Sequence, residues 1–570
     1  MRQGAGIRQP QPGGNVRPRG RAPTRDPVVL AVLLTAAGAA IWIAVFPRVG
    51  TDLSAHIARA GWARHYPGAA YLFSWYGGIY PASYSLLTPY LLAVAGVHTA
   101  TAAAAVVSAA LLALLMARHQ VPRPRAAAVW SAAALCTELT AGRAAFTLGL
   151  AAALGCVAVA GAGRPRRGLR LAAAGGLAAL SSLLSPVTGL FLGVPAAAYL
   201  LAPPGDRRAS GRWWPDSGAG SWKLAACRRA EGVVIGLGAA VPLAVTAAFS
   251  DGGVQPVDAR NGVPSLLAVA LVLLLVPRRW RTVRAGAAVY GLAVIAIWAV
   301  PAQLGSNVER LASLLAGPVL AGMAEPAAVF TGRGAGKSRA PRRLGRLPGT
   351  VLLAAGLLAA AGWQVSQPAL DLAHGNGPPL VPETAALAGE LGALHADTAR
   401  VEAVPQYGHW ESQQLASAVP LARGWERQLD TVRNPLFYQG VLTPQAYYYW
   451  LRVNAVRYVA LSSAPPDFAA AAEASIVRAG EPWLVPVWHN SFWNLYRVAA
   501  AEPLASPPAA VGGTTPAEVT LRMSRAGSTV VRVRWSPLLR GTGGATVTRD
   551  ATWTRVTMPR AGTCVLSAPY

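Results

Sequence analysis

Charged residues are scarce in this sequence, and acidic residues are scarcer than basic ones. Only 13% of the 570 residues are charged, with 24 Asp and Glu against 51 Lys and Arg. Soluble globular proteins carry about 25% charged residues. The deficit comes with 53% hydrophobic residues arranged in long Ala, Leu and Val runs. Together these features exclude an ordinary soluble domain and indicate a chain that crosses a membrane several times.

Cysteine is also rare, and common catalytic and nucleotide-binding motifs are missing. The four cysteines have no near partner at the spacing of a metal site or a disulfide framework, which argues against both. The sequence contains no Gly-rich dinucleotide motif, no H-E-x-x-H motif and no serine nucleophile elbow. The stretch GRGAGKS at 332–338 lacks the spacing of a phosphate-binding loop, and we interpret it as a flexible basic loop.

The positive charge is distributed as in a membrane protein. The formal net charge is +27, but arginine clusters in short segments between apolar runs and forms no single basic domain. Such clusters are typical of cytoplasmic loops. Residues 1–26 are basic and rich in Pro and Gly, which predicts a disordered cytoplasmic tail. We therefore expect a lipid bilayer, and no nucleic acid, among the partners of the chain.

The apolar runs predict about eleven transmembrane helices in a membrane domain of residues 27–367. The first run has the length of a span and no clear cleavage site, so we interpret it as an uncleaved signal anchor. With the N-terminus in the cytoplasm, every arginine-rich loop falls on the cytoplasmic side, including 203–231. Residues 86–97 are too short to span and predict an interfacial or re-entrant segment. The predicted spans are 27–46, 99–117, 126–141, 143–161, 171–185, 187–202, 232–249, 263–277, 285–301, 311–330 and 348–366.

From residue 368 the composition becomes that of a water-exposed α+β domain. The stretches ETAALAGELGALHADTARVEAV (383–404) and TPQAYYYWLRVNAVRYVALSS (443–463) each predict a helix followed by a strand. Residues 506–570 alternate apolar and polar residues between Gly-containing turns, which predicts a β-rich module. We predict domains at 368–505 and 506–570, both extracytoplasmic because the last span ends outside.

Two ionisable residues follow the first span, where the chain leaves the membrane. Asp52 and His56 are four residues apart, so they share one face if this stretch is helical. This placement, beside an aromatic-rich loop, favours a functional site. Two alternatives remain: Asp52 suits the N-cap of the helix that follows, and His56 suits an ordinary surface position.

Further polar residues collect at the ends of different spans on the same outer side, as in a membrane enzyme whose site opens outward. They are Glu138, Arg143, Asp251, Asn307, Glu309 and Arg310, with Trp62, Trp75, Tyr76, Tyr80 and Tyr84 in the first outer loop. An acid within an apolar run is a functional candidate, but Glu138 also suits an ion pair with Arg143. The arginines equally suit anchoring of helix ends, and the aromatic residues suit interfacial anchoring.

The sequence resembles bacterial integral membrane proteins in or near the C-type (GT-C) glycosyltransferase superfamily. The resemblance rests on Asp52, His56 and SWYGGIYPASYSLLTPYL, and on the four further stretches GRAAFTLGLA, SPVTGLFLG, GSNVERLASLLAGPVLA and NPLFYQGVLTPQAYYYWLRVNAVRYVALS. It covers most of the chain. It implies a GT-C-like membrane domain in the bacterial inner membrane. On its outer face a sugar would pass from a polyprenyl-phosphate donor to an envelope glycan, glycolipid or protein.

The resemblance also implies residue roles. Asp52, with His56 beside it, would be the general base or would orient the acceptor. Arg310 and Arg143, with Asn307, would hold the donor phosphate, since guanidinium groups suit bidentate phosphate contacts. The supporting residues would be Glu138, Asp251, Trp75, Tyr76 and Tyr80. Many members pair two acids in the first loop, where this chain has one acid and a histidine. A divalent metal ion is therefore left open, and no cofactor is assigned.

Two rival functions come from other classes, namely a transporter or flippase of an envelope precursor and a non-catalytic membrane scaffold. Against a carrier, the two halves of the sequence show no internal repeat and no paired broken helices. The Trp- and Tyr-rich segments 407–410 and 447–450 are candidate sugar-stacking surfaces. They equally suit the packing surface of a lid over the membrane domain.

Overall fold

The computed structural model describes residues 26–162, 166–202, 221–248, 251–325, 347–374 and 381–570. Nearly all of the predicted tail 1–26 and the whole loop 332–338 lie outside these ranges.

The described chain up to residue 374 is almost entirely helical, and each predicted span overlaps one helix. The helices are α1 (Pro27–Val45), α2 (Leu53–His65), α3 (Thr88–Ala95), α4 (Val97–Arg118), α5 (Pro124–Thr140), α6 (Ala144–Ala160), α7 (Arg167–Leu184), α8 (Pro186–Leu201), α9 (Ser221–Ala248), α10 (Ala259–Leu275), α11 (Arg281–Ala299), α12 (Glu309–Met323) and α13 (Leu347–His374).

Several of these helices have the length and apolarity of membrane spans. Five within the described ranges meet both conditions, and α6, α8 and α10 are shorter apolar helices. A residue rises about 1.5 Å along a helix, so roughly 20 residues cross a 30 Å hydrocarbon core. The prediction of a helical, multi-pass membrane protein is confirmed, while the count of eleven crossings stays a prediction. The five stretches are Pro27–Val45, Val97–Arg118, Ala226–Ala248, Arg281–Ala299 and Gly349–Ala373.

Two predicted boundaries differ from the structure. The predicted cytoplasmic loop 203–231 is wrong for its last part, because α9 begins at Ser221. Lys and Arg are good helix formers, so the basic segment continues the helix, and Glu231 at its end forms a buried ion pair with Arg170 at 2.8 Å. Helix α13 likewise continues to His374, past the predicted domain boundary at 367.

The C-terminal region is an α+β structure followed by a β-rich one, as predicted. Its helices are α14 (Val381–Ala393), α15 (Trp410–Gln414), α16 (Arg427–Arg433), α17 (Pro444–Val453) and α18 (Ala471–Ala479). Its strands are β1 (Arg400–Ala403), β2 (Val456–Ser462), β3 (Leu484–His489), β4 (Trp493–Val498), β5 (Ala509–Thr514), β6 (Glu518–Met523), β7 (Gly527–Arg534), β8 (Arg540–Gly541), β9 (Thr546–Asp550), β10 (Trp553–Met558) and β11 (Gly562–Ser567). The first four strands form one sheet in the order β1-β2-β4-β3, where only the β1–β2 pair is parallel. The others form two antiparallel sheets, β7-β10-β9 and β5-β6-β11-β8.

The loop between α2 and α3 is built into this C-terminal region. Its backbone pairs with the last strand segment through Ala70 N to Ala568 O at 2.7 Å, and with the α+β part through Leu421 N to Ser74 O at 2.8 Å. Side chains of the loop also join the apolar cores of both parts. The first loop is therefore a structural link between the membrane helices and the C-terminal region.

A buried ion cluster around Arg423 stabilises the part of the C-terminal region that contacts this loop. Arg423 Nε donates to Glu402 Oε1 at 2.8 Å, and its Nη2 donates to Glu473, which also accepts from Tyr447 Oη at 2.7 Å. All four side chains are buried. Burial raises the pKa of Glu402 well above its usual range, and Arg423 is the cation that opposes this rise. The guanidinium therefore holds two carboxylates together inside an apolar core.

Replacing Arg423 by leucine is expected to lower the free energy of unfolding by about 3–5 kcal/mol, because the variant leaves buried carboxylates without their cation. Thermal unfolding of the detergent-solubilised protein measures the change. Arg478→Leu is the matched control, since Arg478 is exposed on α18, and it should shift stability by no more than about 0.5 kcal/mol. Equal melting temperatures for the two variants would contradict the role assigned to Arg423.

Candidate functional site

A close approach of two turns positions Asp52. Gly50, between α1 and α2, has φ +133, and Gly142, between α5 and α6, has φ +71. A Cβ on Gly50 would lie 2.6 Å from the backbone nitrogen of Gly142, so only glycine fits there. The Asp52 amide then donates to Ala141 O at 3.3 Å. The start of α2 is thereby held beside the start of α6.

The Asp52 carboxylate faces two arginines from distant parts of the chain. Arg310 Nη2, at the start of α12, donates to Asp52 Oδ2 at 3.2 Å, and Arg143 Nε lies 4.0 Å from the same oxygen. Asp52 occupies the N-cap position of α2, but its side chain accepts no hydrogen bond from the first turn. Among the described residues, Oδ1 has no hydrogen-bond donor, and 23% of the side chain is exposed. One oxygen is thus fixed and the other is free to take a ligand proton.

The remaining contacts of the two arginines fix their guanidinium groups. Arg143 Nη1 lies 3.3 and 3.4 Å from the two carboxylate oxygens of the buried Glu138, so the ion pair considered from the sequence is present. The Arg310 guanidinium lies over the Phe146 ring, 5.5 Å from its centre. Arg310 thus has one carboxylate contact, with Asp52, and Arg143 has two, with Glu138 and with Asp52. Both guanidinium groups keep further N–H groups for an anionic ligand.

His56 lies one turn after Asp52 but in an interior position. Its side chain is buried, and its ring lies edge-on to Tyr84 with the ring centres 5.6 Å apart. Burial lowers the pKa of His56 to about 4, although the nearby Asp52 opposes the change. The imidazole is therefore neutral near pH 7, where it can polarise the surroundings of Asp52 but carries no charge.

Asn307 and Asp251 make their hydrogen bonds away from Asp52. Asn307 Nδ2 donates to Gln255 Oε1 at 3.1 Å, and that oxygen also accepts from Gln428 Nε2 at 2.9 Å. Asp251 accepts from Arg433 Nη2 at 2.9 Å and from the backbone of Tyr80 at 2.8 Å. Burial raises the pKa of Asp251 to about 6 against the effect of Arg433. Both residues therefore join the ends of membrane helices to the C-terminal region.

The three supporting aromatic residues also pack against the C-terminal region. Trp75 is fully buried and donates from Nε1 to Ser412 O at 2.9 Å. The Tyr76 hydroxyl donates to Gly424 O at 2.9 Å, and the Tyr80 hydroxyl donates to Ser536 Oγ at 2.8 Å. Interfacial anchoring is thus wrong for Trp75 and Tyr76, because their side chains are enclosed by protein.

The two aromatic segments of the C-terminal region have different surroundings. Tyr407 donates to Asp371 Oδ1 on α13 at 3.3 Å, and Trp410 belongs to the helical core that contains Leu53 and Phe146. Segment 407–410 therefore covers the end of the helices where Asp52 lies. In segment 447–450, Tyr447 and Trp450 are instead buried in a core formed by the C-terminal region itself.

Sequence reasoning missed the residues that hold the Asp52 loop from the C-terminal side. Trp425 Nε1 donates to Thr51 O at 2.6 Å, and Ser54 Oγ donates to Gly408 O at 3.1 Å. Arg59, further along α2, forms a buried ion pair with Glu426 at 2.6 Å. The partners are hundreds of residues apart, so no local pattern relates them. The one available signal is RGWER at 423–427, a dense group of charges in a chain that has few.

A divalent metal ion does not fit the described residues well. Among them, no three His, Cys, Asp or Glu side chains are grouped as ligands of one ion. Asp52, the acid with a free oxygen, already has Arg310 as its cation. Positive charge at this site is therefore supplied by guanidinium groups.

No protein-family model matches the sequence, and no curated protein matches it significantly. Solved structures do match. The arabinofuranosyltransferase AftD from Mycobacteria is 13% identical with a TM-score of 0.43, over 95% of this chain and 57% of that protein. The Archaeoglobus fulgidus oligosaccharyltransferase is 12% identical with a TM-score of 0.43, over 76% of this chain and 69% of that one. ArnT from Cupriavidus metallidurans, solved with undecaprenyl phosphate, is 14% identical with a TM-score of 0.41, over 83% of this chain and 99% of that one.

All three are GT-C glycosyltransferases. The chain spans less than two thirds of the length of the arabinofuranosyltransferase. At these identities and TM-scores, no residue role passes from those proteins to this chain.

Proposed function

We propose that this protein is an integral-membrane glycosyltransferase that moves a sugar from a polyprenyl-phosphate donor to a cell-envelope acceptor. The observation that carries the proposal is the group formed by Asp52, Arg310 and Arg143. A partly exposed carboxylate with one free oxygen stands beside two guanidinium groups at one end of an apolar helical bundle. Placing ionisable side chains among apolar helices costs free energy, so a group of them is a candidate for a functional role.

The arrangement suits a displacement at the anomeric carbon of the donor. Asp52 Oδ1 takes the proton of the acceptor hydroxyl while the oxygen of that hydroxyl forms the new bond to the anomeric carbon. The bond from this carbon to the phosphate oxygen breaks, and its electron pair stays on the leaving polyprenyl phosphate. Arg310 and Arg143 hold the phosphate and stabilise the charge that develops on it. The atoms and charges balance without a further reactant.

Contacts at the two ends of the bundle support the proposed orientation. Asp52, Arg143 and Arg310 meet where α1 and α5 end and where α6 and α12 begin. At the opposite ends of α6 and α12, and at the end of α10 that lies beside the end of α12, other arginines satisfy terminal carbonyl groups; they are Arg118, Arg123, Arg170 and Arg284. Such cationic ends are typical of the cytoplasmic side. We therefore place the N-terminus in the cytoplasm and the site on the outer face of a bacterial inner membrane, with about eleven crossings.

The C-terminal region is proposed to lie outside and to bind the acceptor. Its domains, 368–505 and 506–570, would then cover the site through segment 407–410, with a glycan, glycolipid or protein reaching Asp52 from the outside. The contact between Tyr407 and Asp371 and the insertion of Trp410 into the helical core support this placement.

A transfer assay in proteoliposomes tests the function. The wild-type protein is supplied with labelled polyprenyl-phosphate monosaccharides and with envelope extracts as acceptor, and both labelled product and labelled lipid in each leaflet are measured. We expect labelled product from at least one donor. Movement of the donor between leaflets without product would identify a carrier. If no donor gives either product or movement, the scaffold is the remaining function.

A further inference from the structure

The backbone on both sides of Asp52 is held by the C-terminal region. On one side, Trp425 Nε1 donates to the carbonyl oxygen of Thr51, the residue before Asp52, at 2.6 Å. On the other side, Ser54 Oγ donates to Gly408 O at 3.1 Å. These hydrogen bonds connect residues more than 350 positions apart. The direction in which Asp52 points therefore depends on segment 407–410 and on Trp425.

The Trp425 ring is itself fixed by a parallel stack with His409. The ring centres are 3.5 Å apart with an angle of 8° between the planes. The His409 backbone is in the left-handed region at φ 52, which a histidine seldom adopts unless its surroundings impose it. His409 follows Gly408 directly, so one imidazole connects the two hydrogen bonds that flank Asp52.

Two carboxylates surround the buried imidazole of His409. Nδ1 lies 3.5 Å from Glu411 Oε1 on α15, and Nε2 lies 3.5 Å from Asp467 Oδ2, which precedes α18. On α16, Arg427 forms two hydrogen bonds with Asp467 at 2.9 and 2.7 Å and lies 4.7 Å from the centre of the Trp425 ring. From α2, the neutral Ser54 faces the same loop. The charged groups around His409 are thus two acids and one arginine.

The charge of His409 follows from these neighbours. Burial pulls the pKa of His409 down, but the carboxylates of Asp467 and Glu411 together raise it above its ordinary value. The stabilisation from these ion pairs is therefore complete below the ordinary histidine pKa of about 6.5 and is lost as the pH rises through the raised pKa. Asp467 keeps Arg427 as its partner at every such pH, so the loss falls on the His409 loop.

We propose that Trp425 is a positioning residue for Asp52 and that the imidazolium of His409 makes this support dependent on pH. The proposal rests on the function proposed above, in which Asp52 is the base. When His409 is protonated, the stack holds Asp52 in the geometry needed for transfer. When His409 loses its proton, the loop that carries Asp52 is held less firmly and transfer is slower.

Replacing Trp425 by phenylalanine separates positioning from packing, because the ring remains and the N–H group is lost. One hydrogen bond contributes about 0.5–1.5 kcal/mol, so we expect kcat to fall by about 2- to 13-fold with the KM for the donor unchanged. Trp535→Phe is the matched control: Trp535 lies in the β-rich region beside Arg549 and should leave both constants unchanged. A fall in melting temperature without a fall in kcat would show that Trp425 contributes only to packing, and it would overturn the proposal.

Replacing His409 by glutamine tests the dependence on pH. In the wild type, transfer should decline on the alkaline side as His409 loses its proton, and the His409→Gln variant should have a lower rate without that decline. An alkaline decline that survives unchanged in His409→Gln would overturn the role of the imidazolium.

Tryptophan fluorescence gives a readout that needs no transfer. A stacked imidazolium quenches indole emission more than neutral imidazole does, so the emission of the wild type should rise with pH above 6.5. The rise should be absent from both Trp425→Phe and His409→Gln. A rise that persists in these variants would overturn the stack as its origin. If no donor supports transfer, this titration still decides the state of the stack, so failure of the proposed function remains distinguishable.

Discussion

Replacing Asp52 by asparagine is expected to reduce kcat for sugar transfer by about 10²- to 10⁴-fold, the usual contribution of a general base. The variant keeps the size of the side chain and its contact with Arg310 but removes the proton acceptor. Because Arg310 loses its counter-charge and Arg143 keeps only Glu138, we expect the KM for the phosphate donor to stay equal or to fall. The combination of a low kcat with an unimpaired donor KM separates loss of a base from loss of binding. Steady-state kinetics in proteoliposomes at equal protein amounts measures both.

Asp26→Asn is the matched control, because Asp26 is a true helix cap. It accepts hydrogen bonds from Val28 N at 2.7 Å and Val29 N at 3.4 Å at the start of α1, at the other end of that helix from Asp52. Asparagine is as good an N-cap as aspartate, so this variant should keep full activity and stability. Wild-type transfer in Asp52→Asn would remove Asp52 from the chemistry.

The features predicted correctly are those that local composition determines. A run of about 20 apolar residues must form a helix in a bilayer, since the backbone has no other hydrogen-bond partners there. For this reason α1 and α4 could be located from hydropathy alone. The pairs α14–β1 and α17–β2 were likewise evident, because a period of 3.6 changes to a period of 2 within one stretch. Basic segments were less well predicted, as α9 shows, since arginine is compatible with both loop and helix.

The candidate site was predicted as a set of residue types but not as a geometry. Asp52 and Arg310 were both chosen for their charge near the ends of apolar runs, yet they are 258 positions apart and their contact depends on helix packing. Trp75 and Tyr76 were predicted as supporting site residues, with anchoring at a lipid interface as the alternative. They are interior because the C-terminal region covers the first loop, a tertiary contact that no window of the sequence contains. The stack of Trp425 with His409 was missed for the same reason.

Replacing Arg310 by glutamine is expected to raise the KM for the donor and the inhibition constant of polyprenyl phosphate by about 10- to 150-fold, since hydrogen bonds to charged groups contribute about 1.5–3 kcal/mol. The guanidinium is buried over Phe146 and already oriented by Asp52, so little order is lost when a phosphate binds. Arg310→Lys should recover only part of the affinity, because an ammonium group cannot make the two parallel contacts of a guanidinium. Competition by polyprenyl phosphate, with unphosphorylated polyprenol as reference, measures the phosphate contribution directly.

Arg260→Gln controls for the general loss of one positive charge. Arg260 lies exposed in the first turn of α10, and its loss should leave the inhibition constant unchanged at moderate salt. Asp52 adds a second check. With Arg310 gone, Arg143 at 4.0 Å is the one cation that the described ranges leave paired with its Oδ2 atom, so kcat should fall together with donor affinity. An Arg310→Gln variant that loses kcat yet is inhibited by polyprenyl phosphate as strongly as the wild type would mean that Arg310 orients the base and that the phosphate binds elsewhere.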